Sequence, residues 1–301
     1  MSHAISSKLF PGFEKLSVQT SEAVINLVRG GIGPPLLLLH GYPQSHVMWH
    51  KVASSLAQNF TVVATDLRGY GDSSKPPSAE DHEPYSKRKM AMDQVEVMES
   101  LGYSQFSVAG HDRGARVAHR LTLDYPDQVS RLALLDILPT LELYRETDMD
   151  FARNYWHWFF LIQPAPLPET LLGNSADFFV NALMTKGPPG TFTEEARVAY
   201  SRTFSDPETL HATCEDYRAS AGIDLEHDEA DINSLIQCPL LVLWGDHNPA
   251  YQRHDILSVW RKRAVNVTGK AIASDHFIPE EAHDAVIAAF NQFFGANGMR
   301  N

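Results

Sequence analysis

The stretch Gly110-His111-Asp112-Arg113-Gly114 lies between an apolar run, residues 106–109, and a helical pattern over residues 115–125. Glycines two places before and two places after a polar residue, at a strand-to-helix junction, have the spacing of a nucleophile elbow. The glycines are needed because the sharp turn brings neighbouring backbone segments very close together. The alternative is an aspartate that only caps a helix. The preceding strand, and the dipeptide His40-Gly41 one strand–helix unit earlier, favour the elbow.

Five apolar, β-rich runs end in glycine or polar residues, and helical patterns separate them. The runs cover residues 36–39, 61–65, 106–109, 132–135 and 240–244. This alternation predicts a mostly parallel sheet with crossover helices. The carboxyl ends of such strands form the edge where open α/β sheets carry their active sites. Together with the elbow, the pattern predicts an α/β class protein with the α/β-hydrolase fold.

The strand signal disappears between about Leu141 and Ser234, where aromatic, helix-compatible segments replace it. Proline- and glycine-rich breaks at residues 164–168 and 186–190 interrupt these segments. A helical cap inserted into the sheet domain explains the change in composition. We therefore predict a core domain formed by residues 1–140 and 235–301 and a cap domain formed by residues 141–234. The length of 301 residues suits this arrangement.

The overall charge disfavours two classes of partner. With 25 Lys and Arg against 37 Asp and Glu, the net charge is −12, which disfavours nucleic acid and anionic membranes.

No apolar run is long enough to span a bilayer, and the first eight residues lack a signal-peptide pattern, so a cytoplasmic location is expected. Cys214 and Cys238 lack metal-ligand spacing, and no metal or cofactor is expected.

An aspartate at the elbow determines which reaction is possible. A serine that attacked a saturated carbon would form an ether, which water could not release. A carboxylate that attacks the same carbon forms an ester, and water can hydrolyse that ester at the carboxyl carbon. Asp112 as nucleophile therefore predicts displacement at saturated carbon, as in dehalogenation or epoxide opening, and disfavours an esterase or peptidase.

Hydrolysis of such an ester needs a general base near neutral pH, which suggests histidine. His276 is distinguished from the other histidines because it precedes the last helical pattern, residues 280–294, where this fold places its base. The base needs a carboxylate to hold its tautomer. Asp136, at the end of the strand after the nucleophile, and Asp246, at the end of the strand after the cap, are both candidates. Residue chemistry alone does not choose between them.

The chain resembles the fluoroacetate dehalogenases, a branch of the haloacetate dehalogenases within the α/β-hydrolases. The resemblance runs nearly end to end, and its most specific parts are the arginine pair after the nucleophile, the stretch at residues 134–140 and the motifs of the cap. The matching stretches are residues 10–13 (FPGF), 34–50 (PPLLLLHGYPQSHVMWH), 114–117 (GARV), 134–140 (LLDILPT), 157–158 (HW), 163–168 (QPAPLP) and 214–219 (CEDYRA).

The resemblance implies a role for each matching residue and a haloacetate as the small anionic substrate. It implies Asp112 as nucleophile, Asp136 as the acid of the triad, His276 as base, Arg113 and Arg116 as a clamp on the substrate carboxylate, and His157, Trp158 and Tyr217 as the halide pocket. Arginine presents a planar fork that suits a carboxylate, and imidazole, indole and phenol each offer a donor to a halide. The backbone amides of Tyr42 and Arg113 are the expected oxyanion donors, and a homodimer is one expected assembly.

Two positions depart from the pattern of these dehalogenases. Asp275 stands directly before the base, where glycine is expected, and this change affects the local backbone or the pKa of the base. The stretch Asp246-His247-Asn248 replaces small uncharged residues and leaves Asp246 as a rival acid.

Two other functions compete with dehalogenation. An epoxide hydrolase shares the aspartate and histidine, but it needs two cap phenols and usually has an aromatic residue where Arg113 stands. A non-catalytic receptor with this fold could dispense with part of the triad, whereas here every member is present.

Overall fold

One eight-stranded sheet forms the centre of the computed structural model, which describes residues 8–184, 187–248 and 254–295. The strands are β1 (Glu14–Gln19), β2 (Val24–Gly30), β3 (Pro35–Leu39), β4 (Thr61–Thr65), β5 (Phe106–His111), β6 (Val129–Leu135), β7 (Leu240–Gly245) and β8 (Val267–Ile272). Their order across the sheet is β1-β2-β4-β3-β5-β6-β7-β8. β2 pairs antiparallel with β1 and β4, and every other neighbouring pair is parallel.

The five predicted strands correspond to β3–β7, so the predicted mostly parallel sheet is confirmed. The central strands are apolar because both of their faces are covered; residues 36–39, for example, have no exposed surface. β1, β2 and β8 were not predicted from the sequence. β1 and β8 lie at the sheet edges and have several exposed positions, so neither has the continuous apolar run that was used to find strands.

Fourteen α-helices occur within the described residues. They are α1 (His50–Leu56), α2 (Lys87–Ser100), α3 (Arg113–Asp124), α4 (Thr140–Arg145), α5 (Met149–Asn154), α6 (Trp156–Leu161), α7 (Leu167–Gly173), α8 (Ala176–Met184), α9 (Glu194–Phe204), α10 (Pro207–Ala221), α11 (Ile223–Ala230), α12 (Ile256–Arg261), α13 (Ile278–Glu281) and α14 (His283–Phe294). α2 packs against α3, and α1 packs against α14.

The segment between β6 and β7 contains α4–α11 and, in its described part, no strand. It includes residues 141–234, the region predicted as a helical cap; the division into a core domain and a cap domain, with its boundaries, stays a prediction. Residues 1–7, which entered the signal-peptide argument, and Lys186 of the second break lie outside the described residues.

Two helix predictions need correction. The helix after the elbow begins at Arg113, two residues earlier than predicted. The helical pattern over residues 280–294 is two helices, α13 and α14. The backbone of Ala282, with φ −124° and ψ 43°, leaves the helical region between them.

Candidate active site

Asp112 occupies a strained turn between β5 and α3. Its φ of +47° and ψ of −116° are rare for a residue with a side chain, and such strain concentrates at functional sites. The two glycines of the turn are required by close contacts. A Cβ on Gly110 would lie 2.4 Å from the carbonyl oxygen of Gly114, and a Cβ on Gly114 would lie 2.4 Å from that of His40. The start of α3 therefore rests directly on the end of β3.

The loop after β3 reaches one oxygen of the Asp112 carboxylate. The Tyr42 backbone N–H donates to Asp112 Oδ1 at 2.9 Å. The Arg113 backbone amide is the other expected oxyanion donor, and its role stays a prediction. Burial opposes ionisation of Asp112, but the nearby charges of His276, Arg113 and Arg116 lower its pKa to about 2. A buried carboxylate with that pKa is ionised at neutral pH, as a nucleophile must be.

The His276 ring lies between Asp112 and Asp136. Its Nδ1 contacts Asp136 Oδ2 at 2.6 Å, and its Nε2 lies 3.9 Å from Asp112 Oδ2. Asp136 also accepts the Gly245 N–H and the Asn248 side-chain amide, both at 2.9 Å. These two hydrogen bonds hold the Asp136 carboxylate in place, so it can orient the imidazole.

Asp246, the alternative acid, has a different environment. Its side chain is 48% exposed, and its carboxylate lies 3.4 Å from His247 Nε2. The geometry therefore brings Asp136, and not Asp246, to the histidine.

A cavity of about 210 Å³ opens beside Asp112 and His276. Both the sheet edge and the helical insertion contribute to its wall. The residues that line it are Tyr42, Asp112, Asn154, Tyr155, His157, Leu183, Tyr217, Asn248, Asp275, His276 and Phe277.

The three predicted halide residues do not all reach this cavity. His157 and Tyr217 line it. Trp158 is buried behind them, with its ring centroid 6.3 Å from that of Tyr217. The assignment of these residues to a halide stays a prediction.

Arg113 is fully buried, and it is held by the helical insertion. Its Nε and Nη2 donate to the two carboxylate oxygens of Asp216 at 2.8 and 2.6 Å, and Nη2 also donates to Ser220 Oγ at 2.6 Å. Its Cζ lies 4.2 Å from the centroid of the Tyr217 ring. Within the described residues, Nη1 has no hydrogen-bond acceptor although it is buried. An anion that binds Arg113 would therefore meet Nη1.

Arg116 lies on the next part of the same helix. Its Nη1 donates to the Leu138 carbonyl at 3.0 Å and to Thr140 Oγ1 at 2.8 Å, and its Cζ lies 4.8 Å from the centroid of the Trp158 ring. Neither arginine lines the cavity, so the carboxylate clamp remains a prediction.

Asn248 and Tyr155 are among the cavity residues that received no role from the sequence. Asn248 holds Asp136, and its place three residues after the end of β7 was the available signal. Tyr155 places its ring on the cavity, with its hydroxyl 3.4 Å from Asn248 Nδ2. It lies in an aromatic cluster, which sequence reasoning assigns to packing by default.

Comparisons with known proteins identify the family of this chain. A family model for the α/β hydrolase fold matches residues 34–287, and the chain belongs to the α/β-hydrolase family. The fluoroacetate dehalogenase of Burkholderia sp is 44% identical over 288 residues, which cover 95% of each chain. The predicted resemblance to fluoroacetate dehalogenases and the prediction of a hydrolase are thus confirmed.

Two further proteins are similar to this chain. The soluble epoxide hydrolase of Corynebacterium sp. (strain C12) is 34% identical over 276 residues, 90% of this chain and 93% of that protein. The crystal structure of ALR0039 from Nostoc sp PCC 7120, described as an α/β hydrolase, superposes with a TM-score of 0.93. It is 58% identical and covers 94% of this chain and 98% of its own.

The described helices do not include one that is long and apolar enough to cross a membrane. Within the same residues, no group of three or more histidine, cysteine or acidic side chains could hold a metal ion. The cytoplasmic location and the homodimer stay predictions.

Proposed function

We propose that the chain hydrolyses haloacetates, including fluoroacetate, through a covalent ester on Asp112. The observation that carries the proposal is the carboxylate at the elbow, with Oδ1 bound to the Tyr42 amide and Oδ2 facing His276. The 44% identity to the Burkholderia fluoroacetate dehalogenase over nearly the whole chain supports the same substrate class.

The first step is displacement at the halogen-bearing carbon. Oδ2 of Asp112 forms a bond to that carbon, and the carbon–halogen bond breaks with its electron pair, which releases halide. Arg113 and Arg116 hold the substrate carboxylate, so that the carbon is aligned with the nucleophile. His157, Trp158 and Tyr217 stabilise the departing halide, and the helical cap of residues 141–234 keeps bulk water away.

The second step is hydrolysis of the ester. His276 Nε2 takes a proton from water, and the resulting hydroxide attacks the carboxyl carbon of Asp112. The negative charge develops on Oδ1, where the Tyr42 amide already donates. The tetrahedral intermediate then collapses: the bond between the carboxyl carbon and Oδ2 breaks, and the departing glycolate oxygen takes the proton from His276. The remaining proton of the water is lost from the Asp112 carboxyl group, which restores the carboxylate. Asp136 keeps the proton on Nδ1 of the base and stabilises the imidazolium.

Isotope labelling and one variant test this sequence of steps. In a single turnover in heavy-oxygen water, label should enter Asp112, because water attacks the carboxyl carbon and not the substrate carbon. His276→Asn should complete the first step and stop, so that intact mass spectrometry finds one carboxymethyl group on the Asp112 peptide.

The same experiment in ordinary water is the isotopic control. Label that appears only in glycolate during the first turnover, together with full steady-state activity of His276→Asn, would contradict the covalent mechanism.

Epoxide hydrolysis is the second candidate, and the cavity contains a feature that favours it. Tyr155 and Tyr217 are two phenols from the helical insertion that line the same cavity as Asp112. An epoxide needs such donors for its oxygen, and the Corynebacterium relative is named a soluble epoxide hydrolase. Halide release from fluoroacetate and chloroacetate, measured beside diol formation from styrene oxide, distinguishes the two reactions. Faster diol formation than halide release would favour the epoxide hydrolase.

A further inference from the structure

His276 lies on an irregular loop, residues 273–277, between β8 and α13. The N–H groups in the middle of this loop have no strand or helix partners, so other groups must satisfy them. One side chain does this on both sides of the base. Glu281 Oε2 accepts the N–H of Asp275 at 2.8 Å, and Glu281 Oε1 accepts the N–H of Phe277 at 2.9 Å.

Two further side chains hold the backbone of the base itself. Asp275 Oδ1 accepts the His276 N–H at 2.9 Å. The His276 carbonyl lies 2.7 Å from His111 Nε2. Because a carbonyl only accepts, His111 must carry a proton on Nε2. Burial lowers the pKa of His111 to about 3, so the ring donates in its neutral form. The three consecutive N–H groups of Asp275, His276 and Phe277 are therefore all bound by carboxylate oxygens.

This arrangement determines where Nε2 of the base can lie. Asp136 holds the imidazole only through Nδ1, so the distance of 3.9 Å from Nε2 to Asp112 Oδ2 also depends on the position of the His276 backbone. Glu281 does not line the cavity, and within the described part of the chain its carboxylate bonds to the amides of the loop and not to Asp112 or the imidazole. Apart from the electrostatic attraction between its carboxylate and His276, Glu281 acts on the base through the loop.

We propose that Glu281 is a positioning residue for the general base: its two oxygens bind the amides on either side of His276 and so fix Nε2 for the attack of water on the ester. The role rests on the proposed function, because only the second step of that reaction uses the base. Asp275 takes part in the same arrangement through its bond to the His276 N–H.

Glu281→Gln tests the role with almost no change in volume. The amide keeps one oxygen, and its NH2 group cannot accept from a backbone N–H, so one of the two bonds is lost. With chloroacetate, formation of the ester should continue at close to the wild-type rate. Hydrolysis of the ester should slow by about 10–100-fold, since small misplacements of a reacting group have effects of this size. Rapid quenching followed by mass spectrometry should then find carboxymethylated Asp112 accumulating in the steady state.

Two other variants complete the design. Glu226→Gln makes the same chemical change at an exposed position on α11, and it should behave as the wild type in both steps. Asp275→Ala removes the acceptor of the His276 N–H and should also accumulate ester, which keeps the test available if Glu281→Gln does not fold.

The outcomes distinguish the positioning role of Glu281 from the proposed reaction mechanism on which that role rests. An equal loss of both steps in Glu281→Gln, or a lower Tm without accumulated ester, would show a merely structural residue and overturn the proposal. If His276→Asn traps the ester while Glu281→Gln and Asp275→Ala do not, the positioning role is wrong and the proposed function stands. If His276→Asn traps no ester, both are wrong.

Discussion

At the scale of single residues, Asp136 and Asp246 show how two similar positions acquire different roles. Both follow the end of a parallel strand. Asp136 has a φ of +54°, and its carboxylate turns inward to the Gly245 amide and to His276. Asp246 lies one strand further from the nucleophile, and its side chain is half exposed. The difference arises from neighbouring strand ends, which supply donors to one carboxylate and not to the other.

Asparagine at the two positions should therefore have very different effects. Asp136→Asn leaves an amide that can present its NH2 group to Nδ1, so the imidazole loses the tautomer needed for a base. By analogy with other triads, kcat should fall by up to about 10⁴-fold. Asp246→Asn is the matched control and should leave kcat within about threefold of the wild type, because exposed substitutions have small effects. Steady-state halide release measures both. The reverse pattern would make Asp246 the partner of the base.

At the scale of secondary-structure elements, the elbow depends on three elements that approach without intervening side chains. β3 and β5 are hydrogen-bonded neighbours, and α3 begins against the end of β3. At Gly114, an added Cβ would meet the backbone of residues 39–40, which cannot rotate away as a flexible side chain could. The position of Asp112 is therefore tied to the packing of the whole strand–turn–helix unit.

Gly114→Ala should destabilise the protein by about 1–3 kcal/mol or more, because the central strand must shift to admit the methyl group. Gly173→Ala is the matched control. Gly173 ends α7, and a Cβ there would meet no atom within 4 Å. Alanine is the better helix former, so this variant should be neutral or slightly more stable. Urea unfolding followed by circular dichroism compares the two. Equal stability of both variants would contradict the proposed constraint at the elbow.

At the scale of the whole molecule, buried polar contacts join the helical insertion to the sheet core. Asp216 of α10 accepts from Arg113, from Tyr70 Oη at 2.6 Å and from Lys87. On another side of the insertion, Tyr200 Oη of α9 donates to Glu280 Oε1 at 2.6 Å. These contacts explain how an inserted segment can hold cavity residues in a defined position over the sheet edge.

Glu280 makes part of this connection dependent on pH. Its side chain is buried, and burial raises its pKa from 4.5 to about 8, although Tyr200 donates to it and Lys51 lies nearby. Lys51 Nζ and His50 Nδ1 are both 3.8 Å from Oε2. The unfolded chain loses this proton near pH 4.5, whereas the folded protein keeps it until about pH 8. The stabilisation is therefore complete below pH 4.5 and is lost as the pH rises through 8.

Glu280→Gln should remove this pH dependence, because the amide keeps the acceptor for Tyr200 and cannot ionise. Between pH 5 and pH 8, the Tm of the variant relative to the wild type should increase by at least about 2 °C. Contributions of other groups are the same in both proteins and cancel in the difference. The exposed variant Glu226→Gln should give a constant difference over the same range. A constant difference for Glu280→Gln as well would mean that Glu280 is ionised in the folded protein.

The sequence by itself determined those features that depend on neighbours along the chain. Alternating apolar runs and helical patterns predicted β3–β7, and the glycine spacing around Asp112 predicted the elbow. The proposal of chemistry at saturated carbon rests on the aspartate at that position. Edge strands were missed, because their exposed faces lack the apolar run that marks a buried strand.

Only the tertiary structure decided which distant groups meet. The ring of His276 reaches Asp136 across 140 residues of sequence, Arg113 is engaged by Asp216, and Glu281 holds the amides beside the base. The physical reason is that a hydrogen bond needs two groups within about 3 Å in the right orientation. Sequence spacing sets such distances within a turn or a helix. Between strands and helices they are set by sheet order and by the packing of the insertion, which many residues determine together.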